Sequence, residues 1–437
     1  MIIMKPNTTS SDLDEHKYFI GFFLIIIFIL FLRSPEIILK GRFWGEEGLV
    51  YFKYAYEHNP FATLFFIDFR CGYYYFSATV SALLASLVPL EFAPFVSTLC
   101  SFFVTVLIIY AIYFTPSHLL KNTFLKIVFC LYLVIGSQAV AEVYCNSINT
   151  QVYWGIFGVL ALFFDYETLN REKSKKYVPT QKLLNVMLVI ACLSGLYCVI
   201  LFPFFILKYF LQKNQNSLKQ IKCMIIPFIL QISVVFYSKF FQGLASSKMT
   251  LNKFDFENII YSLQHQFLQP LFGMKSARNF SISSLIFCIA TFVMIYLTNL
   301  YLYRNNKNRI IQYVLLMVLY MYYLIYIQIG ALGAGGAGGR YGFIPGCIIY
   351  LILLISIWGI YKKIANSKKI LLAAIFIPLL IGGYDFQSPT NFKYLYYSEY
   401  AGAPNWKLEV EKFRNDNSYE LKCWPYQKEW NLELIEK

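Results

Sequence analysis

The stretch Ile282–Tyr303, ISSLIFCIATFVMIYLTNLYLY, decides the class of fold, because it carries no charge over a length close to that of a bilayer crossing. A second uncharged block follows at Ile310–Leu332, and a third lies near the start of the chain at Phe19–Leu32. Such blocks are typical of transmembrane helices rather than of core helices in soluble domains. The sequence therefore predicts a multi-pass integral membrane protein.

The composition agrees with this prediction. Of the 437 residues, 58% are hydrophobic and 14% are charged, whereas soluble domains carry about 25% charged residues. Lys and Arg exceed Asp and Glu by 38 to 24, which gives a net charge of +14. The basic residues lie in short runs between apolar blocks, where they orient helices and contact lipid headgroups. We expect a lipid bilayer as partner and no nucleic acid.

Motifs for soluble cofactor chemistry are absent from the sequence. It contains no P-loop, no GxGxxG motif after a strand, no HExxH motif and no CxxC pair. We therefore expect no cofactor and no metal. No soluble domain is large enough for a nucleotide-sugar, so an enzyme built this way would take its donor from the lipid phase.

The fold class that we predict is an all-α polytopic membrane protein with about nine transmembrane helices. The proposed spans are residues 18–38, 91–114, 123–141, 151–166, 223–243, 281–303, 310–332, 342–361 and 370–384. Four basic segments separate them and are placed on the cytoplasmic side by the positive-inside trend; they are Glu167–Lys182, Lys208–Lys222, Arg304–Arg309 and Lys362–Lys369.

Two segments do not fit a simple crossing. Residues 183–207 start and end on the cytoplasmic side and are too short to cross twice, which predicts a shallow re-entrant hairpin. Residues 73–90 have one apolar and one serine-rich side, which predicts an amphipathic helix in the interface. If 73–90 crosses instead, the first loop becomes cytoplasmic, and the basic residues Arg33, Lys40 and Arg42 favour that alternative.

The predicted domains are a transmembrane unit, residues 1–384, and an outer tail, residues 385–437. The outer loops of the first unit comprise residues 39–90, 142–150 and 244–280.

The first outer loop contains an acidic pair, Glu46 and Glu47, within Phe43-Trp44-Gly45-Glu46-Glu47-Gly48. A carboxylate at the membrane surface is suited to act as a general base on an acceptor hydroxyl. On the residues alone, two solvated acids in a loop are the simpler interpretation.

Two further groups face the same predicted surface. Glu142, Asn146 and Asn149 form a polar rim suited to sugar hydroxyls, although an ordinary helix-terminating loop explains them equally well. Arg340 lies in a glycine-rich turn beside Tyr341 and is suited to bind a phosphate, or else to snorkel to lipid headgroups. The loop 244–280 adds a last set of candidates: Lys275, Arg278, His265 and Asp255.

Together these features resemble the glycosyltransferase C superfamily, polytopic enzymes that use polyprenyl-phosphate sugars, and among them bacterial O-antigen-modifying glucosyltransferases. The likeness lies in the acidic pair, the juxtamembrane helix Tyr73–Leu90, Glu142, the Gly-Gly-Arg-Tyr turn at Arg340 and the segment around Trp424. It implies transfer of a sugar, a hexose by this likeness, to a cell-surface glycan at the outer face of the bacterial inner membrane, by an inverting single displacement.

The resemblance also implies roles for individual residues, without deciding which of Glu46 and Glu47 is the base. The catalytic candidates are Glu46, Glu47 and Glu142. The candidates for the donor phosphate are Arg340, Arg278 and Lys275, and those for sugar or acceptor are Trp44, Asn146, Asn149 and Tyr341.

Two other functions remain open from the sequence. A polysaccharide polymerase or ligase would rely on Arg278 and His265 in a large outer loop. A transporter of lipid-linked sugars is the third interpretation, although the sequence has no internal repeat of the kind that transporters often show.

Overall fold

The computed structural model describes residues 10–136, 142–172, 177–241, 256–273, 282–331, 339–363, 368–387, 404–424 and 430–435. This part of the chain is mostly helical, and five of its helices are long and apolar enough to cross a membrane. These helices are Leu90–Phe114, Gln215–Phe240, Leu285–Tyr303, Lys307–Tyr326 and Arg340–Tyr361. The predicted multi-pass helical membrane protein is confirmed at this level.

The helices of the first half vary widely in length. In chain order they are α1 (Ser10–Arg33), α2 (Pro35–Lys40), α3 (Lys53–Glu57), α4 (Pro60–Leu64), α5 (Phe76–Ser86), α6 (Ala93–Phe114), α7 (Thr123–Ile135), α8 (Thr150–Ala161), α9 (Tyr166–Arg171), α10 (Gln181–Leu193), α11 (Leu196–Val199), α12 (Phe202–Gln212) and α13 (Gln215–Phe240). A π-helical turn, Glu47–Phe52, leads directly into α3.

The second half adds longer helices and a small C-terminal unit. Its elements are α14 (Phe256–Phe272), α15 (Ile282–Tyr303), α16 (Lys307–Ala331), α17 (Phe343–Lys363), α18 (Lys368–Gln387), α19 (Trp406–Asn415) and the antiparallel strands β1 (Leu421–Lys422) and β2 (Asn431–Leu432). A short 3-10 turn, Gly339–Gly342, precedes α17.

The centre of the bundle is formed by α8 and α17. Every residue of α8 is buried, and α17 is buried along most of its length. The two helices approach closely, since a Cβ atom at Gly155 would lie 2.4 Å from the Ile344 side chain. By contrast, α13, α15 and α16 leave large apolar side chains exposed, such as Ile226 at 75%. Such surfaces fit lipid tails rather than water.

The predicted spans agree with the helices only in part. Four predicted spans, residues 18–38, 123–141, 151–166 and 370–384, fall on helices whose described apolar part is shorter than 18 residues. The first of these helices ends at Arg33 because Pro35 disfavours a helical conformation at Ser34. A total of nine crossings remains a prediction.

The segment 183–207 begins and ends at the same end of α13. Gln181 on one arm donates to Asn216 at 2.9 Å, and the other arm leads directly into Asn214, the N-cap of α13. Gly195 has a φ of +105° at the tip, a conformation that glycine adopts without strain. The tip reaches farther than a shallow hairpin would, since the hydroxyl of Ser194 accepts a hydrogen bond from the Ser77 backbone at 3.2 Å.

Two further expectations are modified by the structure. Residues Phe256–Phe272, within the predicted outer loop 244–280, form a helix with buried Phe267 and Leu271. In the region 73–90, helix α5 has only 11 residues, about 17 Å, which is too short to cross a bilayer. The small side chains Ala78 and Ser81 of α5 face the protein, whereas Leu84 is exposed.

The C-terminal unit packs against the first loop. The Trp406 indole donates to the Leu90 carbonyl at 2.7 Å, and the Trp424 backbone donates to the Phe43 carbonyl at 2.8 Å. Arg414 forms an ion pair with Glu91 at 2.5 Å. The described parts of the predicted tail, residues 404–424 and 430–435, thus cover the loop that contains the acidic pair.

The bundle has two chemically different ends, which we call the site end and the basic end. Helix α6 begins at the site end, where Ser97 bonds Glu47, and runs for 22 residues, about 33 Å. At the basic end, Arg309 donates to the His118 carbonyl at 2.6 Å. Lys208 donates there to the Ala161 carbonyl at 3.3 Å. The long central helices therefore separate the acidic loop from the basic segments.

Candidate active site

Arg340 brings two distant acids together at the site end. Its Nη1 atom lies 3.0 Å from Oε1 of Glu142 and 3.9 Å from Oε2 of Glu46. Arg340 lies in the 3-10 turn before α17, Glu142 at the start of the turns before α8, and Glu46 before the π-helical turn. We call these three residues the Arg340 cluster. The two loops predicted to face outward, 39–90 and 142–150, and the glycine-rich turn at Arg340 therefore meet at one point.

The Arg340 cluster is partly open to solvent. The side chains of Arg340, Glu142 and Glu46 are 17%, 28% and 39% exposed. Arg340 also donates to the Tyr341 hydroxyl at 3.2 Å, and its guanidinium lies over the Tyr341 ring. Two carboxylates and one guanidinium give the cluster a base and an anion-binding group side by side. This combination suits proton removal next to a leaving anion.

Glu47 occupies a different environment. Its side chain is buried, and Oε1 accepts hydrogen bonds from the Ser147 amide at 2.6 Å, the Ser147 hydroxyl at 2.5 Å and the Ser97 hydroxyl at 3.2 Å. Its Oε2 accepts from the Trp44 amide at 2.8 Å. We call this the serine pocket. Burial raises the pKa of Glu47, and the Ser147 and Trp44 hydrogen bonds oppose that shift. Glu47 therefore links the loop that contains Trp44 to the loop that contains Ser147.

The two asparagines predicted to bind sugar are buried instead, with exposures of 1% for Asn146 and 0% for Asn149. The Asn146 side-chain oxygen accepts from the Ile148 and Asn149 amides. The side-chain amide of Asn149 donates to the backbone carbonyl of Glu142 at 2.8 Å. One polar atom of each side chain bonds the turns before α8, because asparagine readily bonds the backbone a few residues away. The Asn146 side-chain nitrogen and the Asn149 side-chain oxygen are buried without a hydrogen-bond partner among the described residues. The two asparagines shape the loop that presents Glu142.

Trp44 is likewise not free to contact sugar. It is 8% exposed, and its ring packs against Trp424 and Trp430 with centroids 5.6 Å and 6.2 Å apart. The Arg42 guanidinium lies over both Trp44 and Trp424. The indole therefore fixes the loop to the C-terminal unit. Tyr341, the remaining residue in that prediction, does contact the Arg340 cluster through Arg340.

A group of tyrosines around Arg340 was missed by the sequence analysis. The Tyr75 hydroxyl accepts from the Gln151 backbone at 2.8 Å, and the Tyr73 hydroxyl accepts from the Gln151 side chain at 3.4 Å. Burial raises the pKa of both phenols, and the charge of Arg340 opposes the shift. Tyr197 at the hairpin tip is also within electrostatic range of Arg340. The run Tyr73-Tyr74-Tyr75 was the available signal.

The candidates from the predicted loop 244–280 are not part of the described cluster. Asp255, Lys275 and Arg278 lie outside the described residues. His265 lies on α14 and is 8% exposed, because its helix packs into the bundle rather than forming an open loop. Within the described ranges, no three His, Cys, Asp or Glu side chains are grouped so that they would hold a metal ion.

Comparisons with known proteins leave the site to be judged by its geometry. Neither a family model, nor a curated protein, nor a solved structure matches this chain.

Proposed function

We propose that this protein is a membrane glycosyltransferase that moves a sugar from a polyprenyl-phosphate carrier to a cell-surface glycan. The observation that carries the proposal is the Arg340 cluster, in which one guanidinium lies 3.0 Å and 3.9 Å from two partly exposed carboxylates. The resemblance to the glycosyltransferase C superfamily rests on the same residues.

Glu46 is the base in this proposal. The acceptor hydroxyl attacks the anomeric carbon as its proton passes to the Glu46 carboxylate, and the bond from that carbon to the phosphate oxygen breaks. Glu46 is 39% exposed, so an acceptor can reach it. Both oxygens of Glu47 already accept hydrogen bonds inside the protein, which leaves Glu47 unsuited to take a proton from an acceptor.

Arg340 stabilises the departing phosphate monoester. A guanidinium in a partly enclosed site favours the charge that develops on the leaving group. Glu142 holds Arg340 in position at 3.0 Å, and the donor phosphate takes the open side of the guanidinium. Tyr341 and Tyr73 supply neutral hydroxyls for the sugar, since phenols combine an apolar face with a donor.

The orientation in the membrane follows from the two ends of the bundle. In this proposal nine helices cross the bacterial inner membrane, and the basic end faces the cytoplasm because short basic loops are retained there. The Arg340 cluster then opens to the periplasm.

The decisive experiment measures sugar transfer by the purified, lipid-reconstituted protein. The donors are a synthetic polyprenyl-phosphate hexose and, separately, a diphosphate-linked oligosaccharide. We expect transfer from the first donor only, and a loss of about 100- to 10,000-fold in Glu46→Gln, the range for removal of a general base.

Glu36→Gln is the matched control, because Glu36 is an exposed acid before the same loop and should leave transfer unchanged. Wild-type transfer by Glu46→Gln would overturn the assignment of the base. Use of the diphosphate-linked donor alone would instead indicate a polymerase or ligase.

A further inference from the structure

A polar cavity lies at the basic end of the bundle. It has a volume of about 300 Å³ and is lined by residues that include His118, Asp165, Lys208 and Gln212. Helix α8 separates it from the Arg340 cluster, because α8 begins beside Glu142 and ends at Ala161, whose carbonyl accepts from Lys208. The proposed transfer reaction does not use this cavity.

Lys208 is the unusual residue of the cavity. Its side chain is 7% exposed, and its ammonium donates to the Ala161 carbonyl at 3.3 Å and to Gln220 Oε1 at 3.1 Å. Within the described ranges, no carboxylate forms an ion pair with it. A buried ammonium is expensive to desolvate, and such groups are normally paired with an anion.

The Lys208 ammonium also lies over the Tyr166 ring, 5.6 Å from its centroid, so its described contacts are all with uncharged groups. The Ala161 carbonyl also accepts from Gln220 Nε2 at 3.2 Å, so the end of α8 is satisfied without the lysine. Lys126 offers a contrast, because its ammonium donates only to backbone carbonyls, Tyr113 at 3.0 Å and Thr115 at 2.7 Å. Lys126 closes a helix end, whereas Lys208 also borders an open cavity.

Two carboxylates, Asp165 and Glu167, also line the cavity, and neither pairs with Lys208. The Asp165 carboxylate is engaged by Thr168 through its amide at 3.1 Å and its hydroxyl at 2.9 Å, and Glu167 is exposed at the rim. Lys121 and Arg309 add positive potential at His118. Helix α13 starts in the cavity wall at Asn216 and Ser217, and the start of a long helix carries partial positive charge.

We propose that this cavity binds a phosphate group, carried either by an anionic phospholipid headgroup or by a free phosphate ion, with the Lys208 ammonium as its main contact. Amide side chains at Gln212, Asn214 and Asn216 supply further donors around it. The ligand occupies the end of the bundle opposite to the Arg340 cluster.

The test uses the full-length protein and two probes. In detergent, inorganic phosphate is titrated against chloride at equal ionic strength, and the thermal midpoint is followed. In nanodiscs, phosphatidylglycerol is compared with phosphatidylcholine. A ligand that binds only the folded state raises the midpoint. We expect Lys208→Met to weaken the response about tenfold or more, the range for one charged hydrogen bond.

Two further variants control the test. Gln212→Trp should fill the cavity from its exposed rim and abolish the response without touching the ammonium. Lys222→Gln removes an exposed charge from α13, whose first turn lines the cavity, and should respond like the wild type. A response to phosphate alone identifies a free anion, and a response to phosphatidylglycerol alone identifies a headgroup. No response to either probe, or an equal response in Lys208→Met, would overturn the proposal.

Discussion

The Arg340 cluster and the serine pocket differ in what surrounds a carboxylate, although Glu46 and Glu47 are adjacent in the chain. Glu46 is 39% exposed and faces a guanidinium at 3.9 Å. Glu47 is 2% exposed and accepts four hydrogen bonds from the protein. Successive residues of a helical turn point in different directions. Glu46 is therefore accessible beside a guanidinium, whereas Glu47 stabilises the loop.

After Glu46→Gln, the largest expected effect comes from removing the guanidinium charge of Arg340. Arg340→Gln should lower kcat for sugar transfer by about 100- to 1,000-fold, as for other groups that stabilise a developing anion. Arg340→Lys keeps the charge but loses the planar fork and should recover part of the rate. An unchanged kcat in Arg340→Gln would show that the cluster is not the reaction centre.

A smaller effect is expected from a substitution in the serine pocket, and this effect is on the stability of the protein. Glu47→Gln should lower the free energy of unfolding by about 1–3 kcal/mol, because an amide NH₂ would face a buried N–H donor. The thermal midpoint of the purified protein measures this change. Glu46→Gln should shift the midpoint far less. If the two variants lose stability equally, the distinction between the two environments fails.

The smallest expected effect is a pH dependence of stability. Burial raises the pKa of Glu47 above its ordinary value of 4.5. The folded protein therefore holds this proton more tightly than the unfolded chain does, so the contribution of Glu47 to stability is greatest below pH 4.5 and falls as pH rises through the folded pKa. The difference in midpoint between wild type and Glu47→Gln, followed against pH, isolates this slope. A difference that does not vary with pH would contradict it.

Much of the fold could be predicted from apolar runs and basic segments. Uncharged blocks of about 20 residues have few alternatives in a membrane, so α15, α16 and α17 were located within a few residues. Helix α14 was not located from the sequence, because Gln266 and Gln269 lie among its apolar residues. Only the packing against other helices shows that both glutamines are buried.

The site was predictable as a set of residues but not as a set of roles. The positions of Glu46, Glu142 and Arg340 were proposed from glycine neighbours and loop charge, and the structure brings them together. The roles of Trp44 and Glu47 depend on partners far away in the chain, and the burial of Asn146 depends on the packing of the whole bundle. Local sequence contains no information about such contacts, so these residues looked as accessible as Glu46.

The packing of Trp44 against Trp424 has a consequence for biosynthesis. The two residues lie near opposite ends of the 437-residue chain, and the Gly45 amide donates to the Trp424 carbonyl at 2.9 Å. Trp424 is therefore synthesised long after the first helices of the chain. The acidic loop can make these contacts only after Trp424 has been synthesised, so a chain truncated before Trp424 lacks the packing partner of Trp44.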